Sequence, residues 1–264
     1  MAEPRLETAA LIGKGFCSDV YTWGEGRVLK LFHGRVAPDR AARKYAVTRA
    51  IHAAGVPSPE VYDLIEVQGR CGIVLERIDG ASLLECTQVR PWSIFGAVRL
   101  PAELHAQIHR CPAPAGLPSL RERITDGIEA SDAAEADKQA ARDRLASLPD
   151  GTALCHSDFH PGNVLMTPKG PVVIDWDSAG RGEPLGDVAC TSRLMRTASL
   201  PPWSPGYAHL LLRYLRPLMH RSYLKRYFRL NAGTREQVEA WQVPLAVAAR
   251  SSRVPAGTGR PVEV

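Results

Sequence analysis

Two neighbouring segments of the sequence, each next to an apolar run, are rich in polar side chains. Cys155–Leu165 reads CHSDFHPGNVL, and the run VVIDWD follows and ends at Asp177. Pro161 and Gly162 do not continue a helix, because proline lacks a backbone N–H and glycine favours turns. Three short apolar runs, TALC, NVLM and PVVI, border the loops and are expected to form strands of one small sheet. The pattern predicts polar side chains gathered where these strands end.

The chemistry of these side chains indicates a site that handles phosphate. Asn163 and Asp175 offer the hard oxygen ligands that Mg²⁺ prefers in proteins. Asp158 is then free to accept the proton of a hydroxyl group. The spacing D-x-x-x-x-N, followed by an aspartate at a strand end, is typical of kinases, where these residues are a base and two metal ligands.

The first 80 residues have the pattern of an antiparallel sheet with one helix. TAALIGKGFCSDVYTWG and RVLKLF are expected to be strands, with a hairpin turn at Gly24–Gly26, and VYDLIEV and CGIVLERI are expected to form a second hairpin. A helix is predicted to begin after Pro38 and to end before Gly55.

Beyond Gly80 the periodicity becomes mainly helical. The predicted helices are Phe95–Arg110, Leu120–Leu148, Gly186–Met195, Gly206–Leu230 and Arg235–Ala249. The expected fold is therefore α+β and bilobal, with an N-terminal nucleotide-binding lobe at 1–78, a helical catalytic and acceptor-binding lobe at 79–250, and a loose Gly/Pro-rich tail at 251–264. A ligand is expected in the cleft between the lobes.

These motifs resemble those of the aminoglycoside phosphotransferase and choline kinase family, small-molecule kinases with a protein-kinase-like fold. HSDFHPGNVL is similar to the family's H-x-D-x-x-x-x-N loop, and IDWD is similar to its metal-binding segment. GEPLGDVA resembles its G-x-P-x-x-D-x-A element, which implies that Asp187 braces the catalytic loop and does not touch substrate. The resemblance covers roughly residues 8–250.

The N-terminal lobe fits the same interpretation. A turn between two strands carries Gly13, Gly15 and Ser18, and its backbone N–H groups can lie over phosphates. Lys30 is the single lysine in an apolar strand, where an unpaired charge is costly, so it is expected to reach the cleft and hold the α- and β-phosphates. The resemblance further implies that the backbone of Glu76 and Ile78 binds adenine.

The resemblance also implies cofactors and partners. ATP is the expected phosphate donor, with GTP as an open alternative, and Mg²⁺ is the expected metal. The acceptor is expected to be a hydroxyl group of a small molecule, either an antibiotic or a metabolite. A catalytically weak, nucleotide-binding pseudokinase with a regulatory role is the alternative, and protein kinase activity is disfavoured because HRD, DFG and APE segments are absent.

One departure from the family concerns the partner of the strand lysine. The family usually has a glutamate in the helix after that strand, but no Asp or Glu occurs at 40–59, and the matching positions 44–46 are Lys, Tyr and Ala. Lys30 is therefore expected to pair with Asp175 or with the nucleotide alone.

Composition and charge limit the other classes. Hydrophobic residues make up 45% and charged residues 23%, which is typical of a soluble globular protein. No apolar run is long enough to span a bilayer and no signal peptide is visible, so a cytoplasmic protein without a membrane partner is expected. The six cysteines form no CxxC pair and are expected to be reduced, buried thiols.

The net charge of +5 is unevenly distributed. Residues 188–264 contain 12 Lys/Arg and 3 Asp/Glu, which disfavours a polycationic substrate. Nucleic acid is not an expected partner, because no reader motif accompanies these charges. The chain is expected to be a monomer or a weak dimer. His156 and His160 are expected to be structural and not zinc ligands, and a glycosyltransferase-like D-x-D site at 175–177 is disfavoured because it leaves HSDFHPGN unexplained.

Overall fold

The computed structural model describes residues 5–15, 17–34, 36–89, 94–197 and 206–250. The tail predicted at 251–264 lies outside the described residues. No helix in the described ranges is long and apolar enough to cross a membrane.

The N-terminal lobe is a five-stranded antiparallel sheet with strand order β1-β2-β3-β5-β4. Its strands and its helix are β1 Leu11–Lys14, β2 Ser18–Thr22, β3 Arg27–Phe32, α1 Pro38–Ala53, β4 Val61–Val67 and β5 Arg70–Glu76. The two predicted hairpins and the helix between them are confirmed. Lys30 lies in the central strand β3, opposite Val20 of β2 and Ile73 of β5.

The C-terminal lobe is mainly helical. Its helices are α2 Leu83–Val89, α3 Ile94–Ile108, α4 Leu120–Glu129, α5 Glu135–Ala146, α6 Pro184–Thr197, α7 Gly206–Tyr227, α8 Arg235–Glu239 and α9 Gln242–Ala248. The single helix predicted at Leu120–Leu148 was wrong, because the segment is two helices: α4 ends at Glu129 and α5 begins at Glu135. Between them, the Ser131 hydroxyl bonds the carbonyl of Ile128. The helix predicted at Arg235–Ala249 is likewise two helices, and α2 was not predicted.

The three predicted short strands exist as β7 Ala153–Cys155, β8 Val164–Thr167 and β9 Gly170–Val173. The expectation of one small sheet was wrong. β7 pairs with β10 Gly180–Gly182, whereas β8 and β9 form a separate sheet with β6 Ala81–Ser82. The β7–β10 sheet requires glycine, because a Cβ at Gly180 would lie 2.5 Å from the carbonyl oxygen of Pro118.

One hydrophobic cluster joins α1 to the C-terminal lobe. Val47 and Ile51 of α1 belong to the same buried cluster as Phe159 and Trp176, which flank the two polar loops. The indole N–H of Trp176 donates to the carbonyl of Val173 and the side chain is buried, so this ring is a packing element. The helix that follows the lysine strand is thereby held against the loops.

Candidate active site

The loop after β7 is fixed by hydrogen bonds to its own backbone. Asn163 is buried, and its amide Nδ2 donates to the carbonyl of Asp158 at 2.9 Å. The backbone N–H of Ile174 donates to the carbonyl of Asn163 at 2.9 Å, which links this loop to the end of β9. Imidazole nitrogens of His156 lie 3.0 Å from the Ile174 carbonyl and 3.3 Å from the backbone nitrogen of Asp158. The two polar loops are thus one hydrogen-bonded unit.

Two residues of this unit adopt left-handed backbone conformations, which residues other than glycine rarely adopt. Ser157 has φ = 67°, and Asp175 has φ = 62° and ψ = 58°. Such strain costs free energy and persists only where the surroundings enforce it, which is common at functional sites. The strained positions are the residue before Asp158 and the strand-end aspartate itself.

Asp187, in the first turn of α6, enforces the conformation of the loop. Its Oδ2 accepts the backbone N–H of His156 at 2.6 Å, and its Oδ1 accepts that of Ser157 at 2.7 Å. Its Oδ2 also lies 3.0 Å from Nε2 of His105 and 3.2 Å from Nε2 of His109. The bracing position expected for Asp187 is what the structure shows, whereas His105 in α3 and His109 directly after α3 were missed.

Asp187, His105 and His109, together with Tyr223 and Tyr227 of α7, form a group that we call the brace cluster. His105 Nδ1 lies 2.6 Å from the Tyr223 hydroxyl, and His109 Nδ1 lies 2.7 Å from the Tyr227 hydroxyl. An ionised carboxylate only accepts hydrogen bonds, so both Nε2 atoms donate to Asp187 and both Nδ1 atoms accept from tyrosine. The H-x-x-x-H spacing in an apolar helix was the available sequence signal.

Burial and charge set the protonation of the brace cluster. Burial opposes the charged form of Asp187, but His105 and His109 outweigh it and hold the pKa of Asp187 well below its usual range. Burial, assisted by His109, lowers the pKa of His105 to about 4 despite Asp187. Near neutral pH His105 is therefore neutral and Asp187 is ionised.

A second group of charges faces the cleft, and we call Lys30, Lys44, Asp175 and Asp177 the cleft cluster. Lys30 Nζ lies 2.7 Å from Asp175 Oδ1 and 3.0 Å from Asp177 Oδ1. Lys44 Nζ, from α1, lies 2.7 Å from Asp177 Oδ2. The expected pairing of Lys30 with Asp175 is therefore confirmed, and Asp177 is a further partner that was not predicted.

The pKa values of the cleft cluster follow from these ion pairs. Burial favours the neutral form of Lys30, but Asp175 and Asp177 overcome it and raise the pKa of Lys30 above its ordinary value. Burial likewise opposes ionisation of Asp175, yet Lys30 holds the pKa of Asp175 below its ordinary value. Both groups are charged at neutral pH.

A cavity of about 480 Å³ opens beside the cleft cluster. Its lining brings together every nucleotide and metal residue proposed from the sequence, namely Gly13, Gly15, Ser18, Lys30, Glu76, Ile78, Asn163 and Asp175. Asp158 is not part of this lining. The predicted base therefore lies outside the lining that the other predicted residues share, and its backbone carbonyl accepts a hydrogen bond from the Asn163 side chain.

Two backbone segments line the rim of this cavity, and hydrogen bonds fix the first of them, the glycine turn, within a few residues. The N–H of Gly15 donates to the carbonyl of Ser18 at 2.8 Å, and a Cβ on Gly15 would lie 2.9 Å from that oxygen. The second segment is the connector between the two lobes, at 76–78. There the N–H of Glu76 donates to the carbonyl of Glu60, which closes the sheet edge. The N–H of Ile78 has no hydrogen-bond partner among the described residues.

Asp158 has the electrostatic properties of a base. Burial and the nearby charge of Asp175 raise the pKa of Asp158 to about 6, although Arg123 and Lys30 act in the opposite direction. A raised pKa makes the carboxylate a better proton acceptor while leaving it mostly ionised at neutral pH.

The donor set beside the cavity fits Mg²⁺. The Asn163 amide nitrogen is committed to the loop, which leaves its Oδ1 as a ligand, and Oδ2 of Asp175 makes none of the contacts with Lys30. Zinc ligation by the loop histidines has no support, because His160 Nδ1 accepts the N–H of Gly162 and the His156 ring bonds the loop backbone. The six cysteines are free, as expected, but only Cys155 and Cys190 are buried.

Comparison with known proteins identifies the family of this chain. Residues 8–224 match the model of the phosphotransferase enzyme family. The chain belongs to this family. The resemblance and the α+β bilobal kinase-like fold inferred from the sequence are thereby confirmed, as is the assignment to the phosphotransferases.

Relatives of this phosphotransferase family member include enzymes that are named for antibiotics. An aminoglycoside 3′-phosphotransferase of Streptomyces fradiae is 24% identical over an alignment of 182 residues, and the alignment covers 61% of this chain and 67% of that protein. The crystal structure of aminoglycoside-3′-phosphotransferase of type VIII is 17% identical, with a TM-score of 0.64 over 90% of this chain and 93% of that one. An amicoumacin kinase in complex with AMP-PNP, Ca²⁺ and Ami is 14% identical, with a TM-score of 0.61 over 98% of this chain and 85% of that one. At these identities the two structural matches establish the shared fold.

Proposed function

We propose that this phosphotransferase moves the γ-phosphoryl group of ATP to a hydroxyl group of a small molecule, with Mg²⁺ as the metal. The observation that carries the proposal is the cavity lining that brings together the glycine turn, Lys30, the connector, Asn163 and Asp175. The loop that carries Asp158 is joined to this lining by the hydrogen bond from the Asn163 side chain, which supports a role for Asp158 next to a nucleotide and metal site.

The nucleotide is proposed to lie along the cavity. The free N–H of Ile78 would donate to the adenine ring, and the turn at Gly13–Ser18 would place backbone N–H groups over the phosphates. Lys30 would exchange its contact with Asp175 for the α- and β-phosphates. Asn163 and Asp175 would hold Mg²⁺, which neutralises phosphate charge when it is bound.

In the proposed reaction the carboxylate of Asp158 accepts the proton of the acceptor hydroxyl. The acceptor oxygen forms a bond to the γ-phosphorus while the bond from that phosphorus to the β–γ bridging oxygen breaks, and ADP leaves. Most of the rate enhancement would come from placement and from charge neutralisation, because this reaction needs little covalent participation by the protein.

The acceptor class stays open between antibiotics and other hydroxyl compounds. The relatives named above act on or bind antibiotics, which makes an antibiotic acceptor one candidate. The excess of 9 positive charges over residues 188–264 favours an acceptor that is not a polycation. A coupled ADP-release screen over a panel of hydroxyl compounds, aminoglycosides included, decides between them. The cytoplasmic location and the monomer or weak dimer remain predictions.

Asp158→Asn is the decisive variant. We expect kcat to fall about 10²- to 10⁴-fold because the base is lost, while the Kd for ATP measured by calorimetry changes little. Asp132→Asn is the matched control, because Asp132 is exposed in the C-terminal lobe and lies away from the cavity. Full activity of Asp158→Asn would refute the assignment. A nucleotide-induced thermal shift in the wild-type protein, without transfer to any acceptor, would favour the pseudokinase alternative.

A further inference from the structure

The helix that follows the lysine strand carries a cation where the family resemblance calls for a glutamate. Lys44 of α1 extends to the C-terminal lobe, where its Nζ lies 2.7 Å from Oδ2 of Asp177. Its Nζ also lies 5.1 Å from the centre of the Phe32 ring, within the range of a cation–π contact. Lys44 therefore has a defined position and two partners.

The charges of the cleft cluster alternate along a chain of contacts. Lys44 contacts Asp177, Asp177 contacts Lys30, and Lys30 contacts Asp175, with nitrogen–oxygen distances of 2.7, 3.0 and 2.7 Å. The Asp177 side chain is only 12% exposed, whereas that of Asp175 is 41% exposed. Ion pairs shielded from solvent are less screened than open ones, so the Lys44 end is the fixed end and the Asp175 end is the one at which partners can exchange.

Charge balance explains why a glutamate would not suit this position. Two lysines and two aspartates make the cleft cluster neutral overall. A carboxylate at position 44 would face Asp177 and leave Lys30 alone against three carboxylates. The cleft cluster would then change from neutral to a net charge of −2, with no cation left opposite Asp177 from α1.

We propose that Lys44 is a positioning residue of the phosphate site: by holding and neutralising Asp177, it leaves the Lys30 ammonium available to the phosphates of a nucleoside triphosphate. The packing of α1 supports this role, because Val47 and Ile51, on the same helix, share a buried cluster with Trp176, the residue between the two aspartates. The position of Lys44 relative to Asp177 is thus set by the core. The ligand class rests on the proposed function, but the Lys44–Asp177 contact does not.

The test compares nucleotide binding in charge variants of α1. In Lys44→Met we expect the calorimetric Kd for AMP-PNP with Mg²⁺ to rise about tenfold, a typical coupling for a shielded ion pair. Lys44→Arg should recover most of the affinity, and Lys44→Glu should lose roughly a further tenfold. The matched control is Arg49→Met, which removes one exposed cation from the same helix and should leave Kd within about twofold.

A double-mutant cycle separates the contact from a general loss of charge. In an Asp177→Asn background, Lys44→Met should no longer change Kd, since the charge that it neutralises is gone. Turnover should show the same split, with the KM for ATP rising more than kcat falls. Circular dichroism and thermal unfolding establish that each variant is folded.

Three results would overturn the proposal: equal effects of Lys44→Met and Arg49→Met, tighter nucleotide binding by Lys44→Glu than by Lys44→Met, or additive effects of Lys44→Met and Asp177→Asn. Failure of the proposed function is distinguishable from these. It would appear as wild-type protein that binds no nucleotide, and the Lys44–Asp177 coupling would then still be measurable in the free energy of unfolding.

Discussion

The two charged clusters on either side of the catalytic loop differ in how their charges are satisfied. The cleft cluster pairs two lysines with two aspartates, and its Asp175 side chain is 41% exposed. The brace cluster surrounds one carboxylate with four hydrogen-bond donors, and the side chains of Asp187 and His105 are fully buried. The first can exchange a protein partner for a ligand, whereas the second has no solvent-facing side from which a partner could enter.

This difference teaches how one small region combines rigidity and exchange. The brace cluster fixes the backbone of His156 and Ser157, and through Ser157 the direction of Asp158. The cleft cluster keeps Lys30 charged and in place without removing it from the cavity. The partly open cluster can therefore accept a ligand, whereas the closed cluster holds the loop backbone in place.

The largest difference between the two clusters is expected when Asp187 of the brace cluster and Asp175 of the cleft cluster are each replaced by asparagine. Asp187→Asn places an amide NH₂ group among hydrogen-bond donors and removes a buried charge, so we expect it to lower the free energy of unfolding by about 3 kcal/mol or more. Asp175→Asn, at the open end, should change it by less than about 1 kcal/mol. Urea unfolding followed by circular dichroism measures both values. Equal losses of stability would show that the cleft cluster is as rigid as the brace cluster.

The pH dependence sharpens the comparison, because the residue between the two clusters titrates near neutrality. The pKa of Asp158 is about 6 in the folded protein and is near 3.8 when unperturbed. Activity that needs the carboxylate should therefore fall as pH drops through about 6.

Stability should move in the opposite direction. A carboxyl whose pKa is raised by folding contributes stability at low pH that is lost as pH rises through the folded pKa. Asp158→Asn should therefore become more stable relative to wild type between pH 4 and pH 7, by about 1 kcal/mol after allowance for partial solvent exposure. The difference between the two proteins isolates this effect, because His105, with a pKa of about 4, titrates in both. A difference that stays constant with pH would contradict a raised pKa of Asp158.

The smallest expected effect concerns the outer edge of the brace cluster. Tyr227→Phe removes the hydroxyl that donates to His109, and Tyr223→Phe removes the one that donates to His105. Each should lower the free energy of unfolding by about 1 kcal/mol, the usual net value of a hydrogen bond. Each hydroxyl has a second side-chain partner, Asn231 for Tyr227 and Thr191 for Tyr223, so the two variants should lose similar amounts of stability. Thermal unfolding of both variants measures the losses, and a clearly larger loss in one of them would place the stronger contact at that tyrosine.

Local patterns in the sequence were sufficient for much of this description. The loop CHSDFHPGNVL, the glycine turn and the alternating strands of the first lobe depend on neighbouring residues, and each was found close to where it was expected. Helix boundaries were less well predicted: α4 and α5 are separated by a short segment at 130–134, in which the Ser131 hydroxyl bonds the carbonyl of Ile128.

The sequence by itself determined the kind of fold, the kind of chemistry and the residues that line the cavity, because these follow from short motifs with fixed spacing. Only the tertiary structure decided which charges meet. Lys30 and Asp175 are 145 positions apart, Lys44 and Asp177 are 133 apart, and His105 and Tyr223 are 118 apart. Contacts at such separations depend on how the elements pack, and no local pattern records them. Thus the sequence alone shows that α1 lacks a glutamate, whereas the pairing of Lys44 with Asp177 is seen only in the folded structure.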